Sequence, residues 1–107
     1  MGGSKAVLFS DEQNRLASIA KVFGHPARVA IVQHLLENRT CMVSNLTEAL
    51  PLSQSTISQH LKELKNVGLI KGEIEGPSIS YCLNLDTVKE IIHMLNQFNN
   101  ELGGCCQ

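Results

Sequence analysis

The chain of 107 residues, of which 43% are hydrophobic and 18% charged, has the size and composition of one folded domain rather than of a disordered segment. Its net charge of −1, from 9 basic and 10 acidic residues, excludes a broadly basic surface, so any contact with nucleic acid must come from locally placed cations and helix N-termini. No apolar run approaches the ~20 residues that cross a bilayer, and no signal peptide precedes the first predicted helix. We therefore expect a cytoplasmic protein that does not bind membranes.

The first third of the chain has the pattern of two helices joined by a tight turn. Residues 1–10 are expected to form a flexible lead-in, after which Asp11 caps a helix over about residues 12–23. Gly24 ends this helix, and a second follows over about residues 26–37. Its first residue is a proline, which suits that position because it has no amide hydrogen to leave unpaired. The second helix is apolar on several sides, which predicts a place in the middle of the domain.

The next segment predicts two short elements. Cys41-Met42-Val43 is expected to pair as a very short strand, and Ser44 or Asn45 to cap a short helix that ends at Leu50. A tight connection through residues 51–52 leads directly into another helix. Two helices joined in this way are typical of a helix-turn-helix, in which the second helix reads DNA.

The helix that follows has one apolar face. Its cap is expected at Ser53, because a serine hydroxyl accepts a hydrogen bond from a first-turn amide. The helix should stop near Asn66, where Gly68 can adopt the left-handed conformation of a helix exit. Apolar residues at spacings of four and three form its inner face: Ile57, Leu61 and Leu64.

The outer face of the same helix carries hydroxyls, amides and few charges. Amides and hydroxyls suit base edges and phosphate oxygens, because they donate and accept hydrogen bonds at once. The alternative is an ordinary solvated helix, but such a face is usually rich in Glu and Lys, and this one is nearly uncharged through its first two turns. We therefore predict a DNA-reading face that comprises Gln54, Ser55, Ser58, Gln59 and Lys62.

The last third of the chain predicts a hairpin and a long helix. Residues 69–75 and 78–84 have strand patterns, and Gly76-Pro77 marks the turn between them. Asp86 is expected to cap a helix over about residues 87–102.

Both the first and the last predicted helices carry an apolar stripe. In the last helix the stripe is close to a seven-residue repeat, as in a helix that packs against a partner helix. Dimerisation through these two helices would bury both stripes, although both could instead cover the core of one chain. We expect a homodimer of a domain over residues 11–102, which is followed by a Cys-containing tail, residues 103–107.

The order of elements is that of a winged helix-turn-helix, mainly α with a β-hairpin wing. Residues 23–31 (FGHPARVAI), residues 52–61 (LSQSTISQHL) and the wing residues Glu75-Gly76 and Tyr81 resemble the ArsR/SmtB family of bacterial transcriptional repressors. The resemblance covers about residues 12–100. It implies a homodimer that binds an inverted-repeat operator in double-stranded DNA, with recognition helices in successive major grooves, and that leaves the DNA when an inducer binds.

The resemblance also implies which residues face the DNA. Lys62 and Lys65 are expected to contact phosphates. The wing tip usually carries Arg or Lys in the family, whereas here it is Glu75-Gly76-Pro77-Ser78, so the wing departs from the pattern. The other residues that the resemblance places toward DNA are Ser53, Gln54, Ser55, Thr56, Ser58, Gln59 and His60.

The family's metal sites are not intact in this sequence. Its arsenic sensors and its cadmium or lead sensors carry Cys-Val-Cys where this chain has Met42-Val43-Ser44. The last helix offers Asp86 and His93, but its second half lacks the imidazoles that zinc-type members use. The four cysteines form neither a CxxC pair nor a zinc-finger spacing. We expect no disulfide in a cytosolic chain, and an inert Cys82.

Adjacent thiols on the tail, Cys105 and Cys106, are the candidate sensors. Such thiols can bind a soft metalloid such as As(III) or become oxidised, especially if Cys41 or a partner-chain thiol completes the set. The alternative is that they are tail thiols without a role. We predict no resident cofactor, and a soft metalloid or a thiol-redox signal as the candidate inducer.

Two functions stay open from the residues alone. The first is a DNA-binding repressor, and the second is a winged-helix module for protein–protein contact, which the near-neutral charge and acidic wing would suit. An enzyme is not predicted, because the sequence has no Gly-rich phosphate loop, zinc triad, nucleophile elbow or paired catalytic carboxylates. A DNA binder should lose affinity steeply as salt rises, which separates the first two functions.

Overall fold

The computed structural model describes residues 7–37, 41–42, 50–73 and 80–103, and within these ranges it contains four helices and three strands. The predicted fold class, mainly α with a β-hairpin wing, is confirmed. The wing tip and, apart from Leu50, the predicted short helix before the reading helix lie outside the described residues. In chain order the elements are helix α1 (Asp11–Val22), helix α2 (Pro26–Glu37), strand β1 (Cys41–Met42), helix α3 (Gln54–Asn66), strand β2 (Ile70–Glu73), strand β3 (Ser80–Leu83) and helix α4 (Leu85–Gly103).

Two helices begin one or two residues before the positions that the sequence predicts. Ser10, rather than Asp11, caps α1: its hydroxyl accepts from the Gln13 amide at 3.0 Å, and the Gln13 side chain accepts from the Ser10 amide at 2.9 Å. This reciprocal pair is a capping box, which satisfies two amides at once. Asn84, rather than Asp86, plays the corresponding part before α4, since its side-chain oxygen accepts from the Asp86 amide at 3.2 Å. Both aspartates instead lie in the first turn, where a negative charge favours the helix dipole.

The three strands form an antiparallel sheet in the order β1-β3-β2. In this register Cys82 lies opposite Cys41 on one side and opposite Lys71 on the other, so the three side chains form a row on one face. Cys41 and Cys82 are joined by a disulfide. The expectations of no disulfide and of an inert Cys82 are therefore wrong, because the pairing depends on a strand register that brings together residues 41 positions apart.

The opposite face of the sheet lies on the hydrophobic core. Tyr81 and Leu83 of β3 and Ile70 of β2 are buried, which matches the predicted alternation along the second strand. Helices α2 and α3 supply most of the remaining core, and α2 lies in the middle as predicted. The fully buried core residues from α2, from α3 and from the turn after α3 are Ile31, Leu35, Ile57, Leu61, Leu64 and Leu69.

Helix α4 contacts α1 through an ion pair. Arg15 of α1 donates from Nε to Oε2 of Glu90 at 3.0 Å and from Nη2 to Oε1 at 3.1 Å, a two-point ion pair between the helices. Met94 is buried below it. Val88 and Ile91 of the α4 stripe are half-buried against the core. The other stripe residues face outward and are each more than half exposed: Ile92, Leu95, Phe98 and Leu102. The core of a single chain thus leaves this part of the stripe uncovered.

Candidate DNA-binding surface

Helix α3 is fixed at both ends by its own sequence. At its start the Ser53 hydroxyl accepts from the Thr56 amide at 3.3 Å, as the predicted cap should. At its end, Gly68 has a φ of +82°. In this conformation the Gly68 amide donates to the Lys65 carbonyl at 2.9 Å, and the Leu69 amide donates to the Leu64 carbonyl at 3.0 Å. These two bonds make a Schellman motif, which requires a residue that tolerates positive φ. The predicted limits of the helix are confirmed.

The inner face of α3 anchors the helix to the domain. Ile57, Leu61 and Leu64 are each no more than 2% exposed and pack with the α2 and β3 core. Burial of three such side chains favours a fixed orientation by about 1.5–3 kcal/mol each. Because the anchor lies on one side, the opposite side of α3 is held outward.

The outward side carries most of the predicted DNA-facing residues. Within it Gln54 Nε2 donates to the Ser58 Oγ at 3.3 Å, one turn further on, so the amide and the hydroxyl are already ordered against each other. The first turn contains no acidic residue, so the positive end of the helix dipole is not offset by a carboxylate there. Exposed members of the predicted set are Ser53, Gln54, Ser55, Thr56, Gln59, Lys62 and Lys65, and Ser58 is half-buried.

Ser53 is exposed, but its hydroxyl is engaged within the protein. It accepts from the Thr56 amide and donates to the Thr56 Oγ1 at 3.0 Å. A hydroxyl has one hydrogen to donate and two lone pairs, and the Ser55 Oγ lies 3.3 Å from the remaining lone-pair site, so little is left for a base edge. Its position therefore supports a role in fixing the start of α3 rather than in reading DNA.

His60 does not belong to the outward face, which corrects the prediction. It is 8% exposed, and its Nδ1 accepts from the Arg28 Nε at 3.2 Å while its ring lies 4.5 Å from the His25 ring. Burial, followed by the nearby His25 and Arg28 charges, lowers the pKa of His60. The cause is helical phase: at about 100° per residue, position 60 falls about 60° from Ile57, on the edge of the apolar stripe. The family resemblance covers residues 52–61 as one segment, so it does not distinguish the inner face of α3 from its outer face.

Lys65 has a structural contact that the sequence did not predict. Its Nζ donates to the Gly72 carbonyl oxygen at 2.9 Å, which ties the last turn of α3 to the first wing strand. The acceptor is seven residues away and beyond the helix exit, so only the packed hairpin brings the two atoms together. Lys62 lies one turn earlier and is exposed.

The predicted sensor residues are not brought together in the described part of the chain. Cys41 is in the disulfide with Cys82, and Cys105 and Cys106 lie outside the described residues. Across the ranges that the structure describes, no group of three or more His, Cys, Asp or Glu side chains could hold a metal ion. Among these same residues, no helix combines the length and apolar character that a membrane span requires.

Comparisons with known proteins agree with this geometry. The profile of the family described as "Bacterial regulatory protein, arsR family" matches residues 25–71, which run from the start of α2 into β2. The chain is 37% identical over 87 residues to the HTH-type transcriptional regulator MJ1325 of Methanocaldococcus jannaschii, covering 81% of this chain and 98% of the relative. It is 35% identical over 80 residues to the transcriptional repressor PagR of Bacillus anthracis, covering 75% of this chain and 80% of that protein.

A solved structure shares the fold as well. The ArsR-like transcriptional regulator from Rhodococcus sp. RHA1 superposes with a TM-score of 0.69 at 25% sequence identity, over 85% of each chain. The relatives are named as transcriptional regulators, a non-enzymatic role, which confirms the prediction that this protein is not an enzyme. With the outward polar face of α3 and the wing behind it, these matches identify the protein as a helix-turn-helix transcriptional regulator that belongs to the arsR family of bacterial regulatory proteins.

Proposed function

We propose that this regulator represses transcription by binding an inverted-repeat operator as a homodimer, with α3 of each chain in a major groove, and that an inducer releases it. The observation that carries this proposal is the outward face of α3, where ordered amides and hydroxyls stand on a helix anchored by Ile57, Leu61 and Leu64. Repression is favoured by the relative PagR, which is named a transcriptional repressor. The cytoplasmic location and the limits of the flexible ends stay predictions.

The exposed α4 stripe supports the homodimer. Leu95, Phe98 and Leu102 are each more than half exposed, and they lie near one another at helical spacing. Contiguous apolar surface of this kind marks an interaction site in most proteins. Two-fold pairing would also give two copies of α3, as an operator with two half-sites requires.

The DNA contact is tested by fluorescence anisotropy with DNA from upstream of the protein's own gene, measured over a salt series. We expect a steep loss of affinity as salt rises, because phosphate contacts release counterions. Gln54→Ala with Ser58→Ala should cost ~1–3 kcal/mol per lost base contact and remove sequence preference. Glu101→Gln, at the far end of α4, is the control and should bind as wild type. Absence of binding at low salt would instead favour a protein-contact module.

The dimer is tested separately by light scattering coupled to size-exclusion chromatography. Phe98→Glu places a charge in the apolar stripe and should yield monomers. Asn100→Glu adds the same charge to a different side of α4, about 140° from Leu95 around the helix, and should remain dimeric. A wild-type chain that elutes as a monomer at micromolar concentration would refute the homodimer.

The candidate site for the inducer is the C-terminal tail, residues 103–107. We propose that Cys105 and Cys106 contribute to its recognition, since adjacent thiols bind soft metalloids and are readily oxidised. Cys105→Ser with Cys106→Ser should make operator release insensitive to arsenite. Unchanged release by arsenite would exclude the tail thiols as its target.

A further inference from the structure

The Cys41–Cys82 disulfide is accessible from solvent. Cys41 is exposed and Cys82 half-buried, and both line a shallow depression of about 310 Å³ together with Lys71. A disulfide within reach of small molecules can exchange with dissolved thiols, whereas a buried one is protected. We propose that Cys41 and Cys82 form a reversible thiol–disulfide exchange site that takes low-molecular-weight thiols and sets the affinity of the protein for DNA. The effect on DNA rests on the function proposed above.

The position of the bond connects it to the DNA-reading helix. The bond closes a covalent loop from residue 41 to residue 82, and this loop contains all of α3 and β2. Strand β1 lies on the chain that enters α3, and β2 lies on the chain that leaves it. Both pair with the same strand, β3, so the disulfide ties the entry of α3 to the sheet that already holds its exit.

Without the disulfide, strand β1 has only a short pairing with the sheet, whereas Leu50 and Leu52, which lie closer to α3, pack against the core. Strand β1 is two residues long and contributes two register pairs with β3, Cys41 with Cys82 and Met42 with Tyr81. Such a short pairing is marginal by itself. The exit side, by contrast, has four register pairs between β2 and β3 and the bond from Lys65 to Gly72. Reduction should therefore loosen β1, which lies on the chain that leads to α3, and leave β2 and β3 paired.

Reduction of the Cys41–Cys82 disulfide consumes two low-molecular-weight thiols. The thiolate of one low-molecular-weight thiol attacks the exposed Cys41 sulfur, the S–S bond breaks, and Cys82 leaves as a thiolate. A second thiol then attacks the mixed disulfide, which releases Cys41 and forms the small-molecule disulfide. Two electrons pass to the protein, and the reverse steps use the oxidised small molecule. Lys71 lies directly opposite Cys82 on the sheet, where its ammonium favours the leaving thiolate, while Asp86 lines another part of the depression.

The direction of the effect follows from preorganisation. A helix whose entry and exit are both fixed loses less conformational freedom when it docks on DNA than one whose entry is loose. The disulfide form should therefore be the tight-binding form, and reduction should weaken operator binding. We expect a weakening of about fivefold or more, because the reduced protein must order β1 and the chain beside it when it binds.

The test uses the full chain with Cys105→Ser and Cys106→Ser, so that only the Cys41–Cys82 pair can titrate. Free thiols are counted under denaturing conditions, and Kd for DNA from upstream of the gene is measured, after diamide and after dithiothreitol. We expect no free thiols and tight binding after diamide, but two thiols and weaker binding after dithiothreitol. Adding either Cys41→Ser or Cys82→Ser should give the weak affinity in both conditions.

The role of Lys71 is tested by kinetics in the same background. Lys71→Met should slow the release of thiols by glutathione several-fold, because the leaving thiolate loses its neighbouring cation. Lys89→Met, on the exposed surface of α4, removes a lysine elsewhere and should leave the rate unchanged. Equal rates in the two variants would exclude Lys71 from the exchange step.

Two results would overturn the main proposal. The first is a complete change in thiol count with no change in Kd, which would make the bond purely structural. The second is the absence of a Cys41–Cys82 peptide after diamide in non-reducing peptide mapping. A chain that binds no DNA in either state refutes the proposed function and the affinity change with it. The thiol count would then still decide whether the exchange site exists.

Discussion

Arg28 donates a hydrogen bond from Nε to Nδ1 of His60 at 3.2 Å, and this bond joins the start of α2 to the middle of α3. Nδ1 accepts this bond through a lone pair, so Nδ1 of His60 carries no proton. His25 lies against the same ring, and the Arg28 guanidinium also donates from Nη1 to the Val22 carbonyl at 3.4 Å. A buried histidine without a proton on Nδ1 therefore helps to hold the inner side of α3 against α2.

Acidic pH should lower the stability of the folded protein through protonation of His60. Burial and the neighbouring His25 and Arg28 lower the pKa of His60 in the folded protein below its ordinary value of 6.5. The unfolded chain then binds a proton more readily than the folded one, so the free energy of unfolding should fall as pH drops below 6.5. Thermal denaturation between pH 7.5 and pH 5 measures this. His60→Gln should flatten the decline, whereas the same change at the exposed His93 should keep the wild-type slope.

Tyr81 should stabilise the folded protein through its ring and not through its hydroxyl. Its hydroxyl is buried and has no hydrogen-bond partner among the described residues, and burial raises its pKa to about 12. Tyr81→Phe keeps the ring and removes the unpaired group, so we expect stability to be unchanged or to rise by about 1 kcal/mol in urea denaturation. A loss of more than about 1 kcal/mol would show that the hydroxyl is satisfied.

The same residue predicts a change at alkaline pH. In the unfolded chain Tyr81 ionises near pH 10, whereas the folded protein keeps it protonated to about pH 12. The unfolded state is the one that loses the proton first, so stability should fall as pH rises above 10. Tyr81→Phe should remove that part of the decline in a urea series from pH 9 to pH 11. Identical slopes for the two proteins would contradict the shift.

The Arg15–Glu90 ion pair should contribute a modest stabilisation between α1 and α4. Both side chains are partly exposed, at 33% and 40%, so solvent screens the charges and about 0.5–1 kcal/mol is the expected coupling. A double-mutant cycle with Arg15→Met and Glu90→Gln measures it, and the coupling should shrink in high salt. The hydrogen bond from Arg15 lowers the pKa of Glu90, so this stabilisation should be present above the ordinary pKa and be lost as the pH falls below it. A coupling energy of zero at low salt would refute the contribution.

Gly72 should not tolerate a side chain. Its φ is +120, and a Cβ there would collide with the Ser80 carbonyl oxygen and approach the Tyr81 Cα at 2.9 Å. Gly72→Ala must therefore distort the pairing of β2 with β3 and displace the carbonyl that Lys65 binds, with a cost of about 2 kcal/mol or more. Gly103→Ala is the matched control, because no tertiary neighbour among the described residues lies within 4 Å of its added methyl group. Equal stability of the two variants would show that the wing adapts to the side chain.

Local chemistry in the sequence determined the positions of the main elements. The apolar spacing of Ile57, Leu61 and Leu64, the Ser53 hydroxyl and the Gly68 exit act within a few residues of one another, so they specify α3 without reference to the rest of the chain. The starts of α1 and α4 differ from the prediction for the same local reason. Ser10 stands beside Asp11, and Asn84 lies two residues before Asp86, so each start offers two residues that can cap a helix.

Tertiary structure alone decided which distant residues meet. Cys41 bonds to Cys82, Arg28 binds His60 and Lys65 reaches Gly72 because antiparallel strands and crossing helices place them together. The spacing of these partners along the chain carries no periodic signal that a sequence pattern could reveal. Packing likewise decided which parts of the α4 stripe are covered, since burial depends on where a helix crosses the domain. Local sequence therefore specifies α3, whereas its attachments to α2 and to the wing, and the nearby disulfide, follow from the fold.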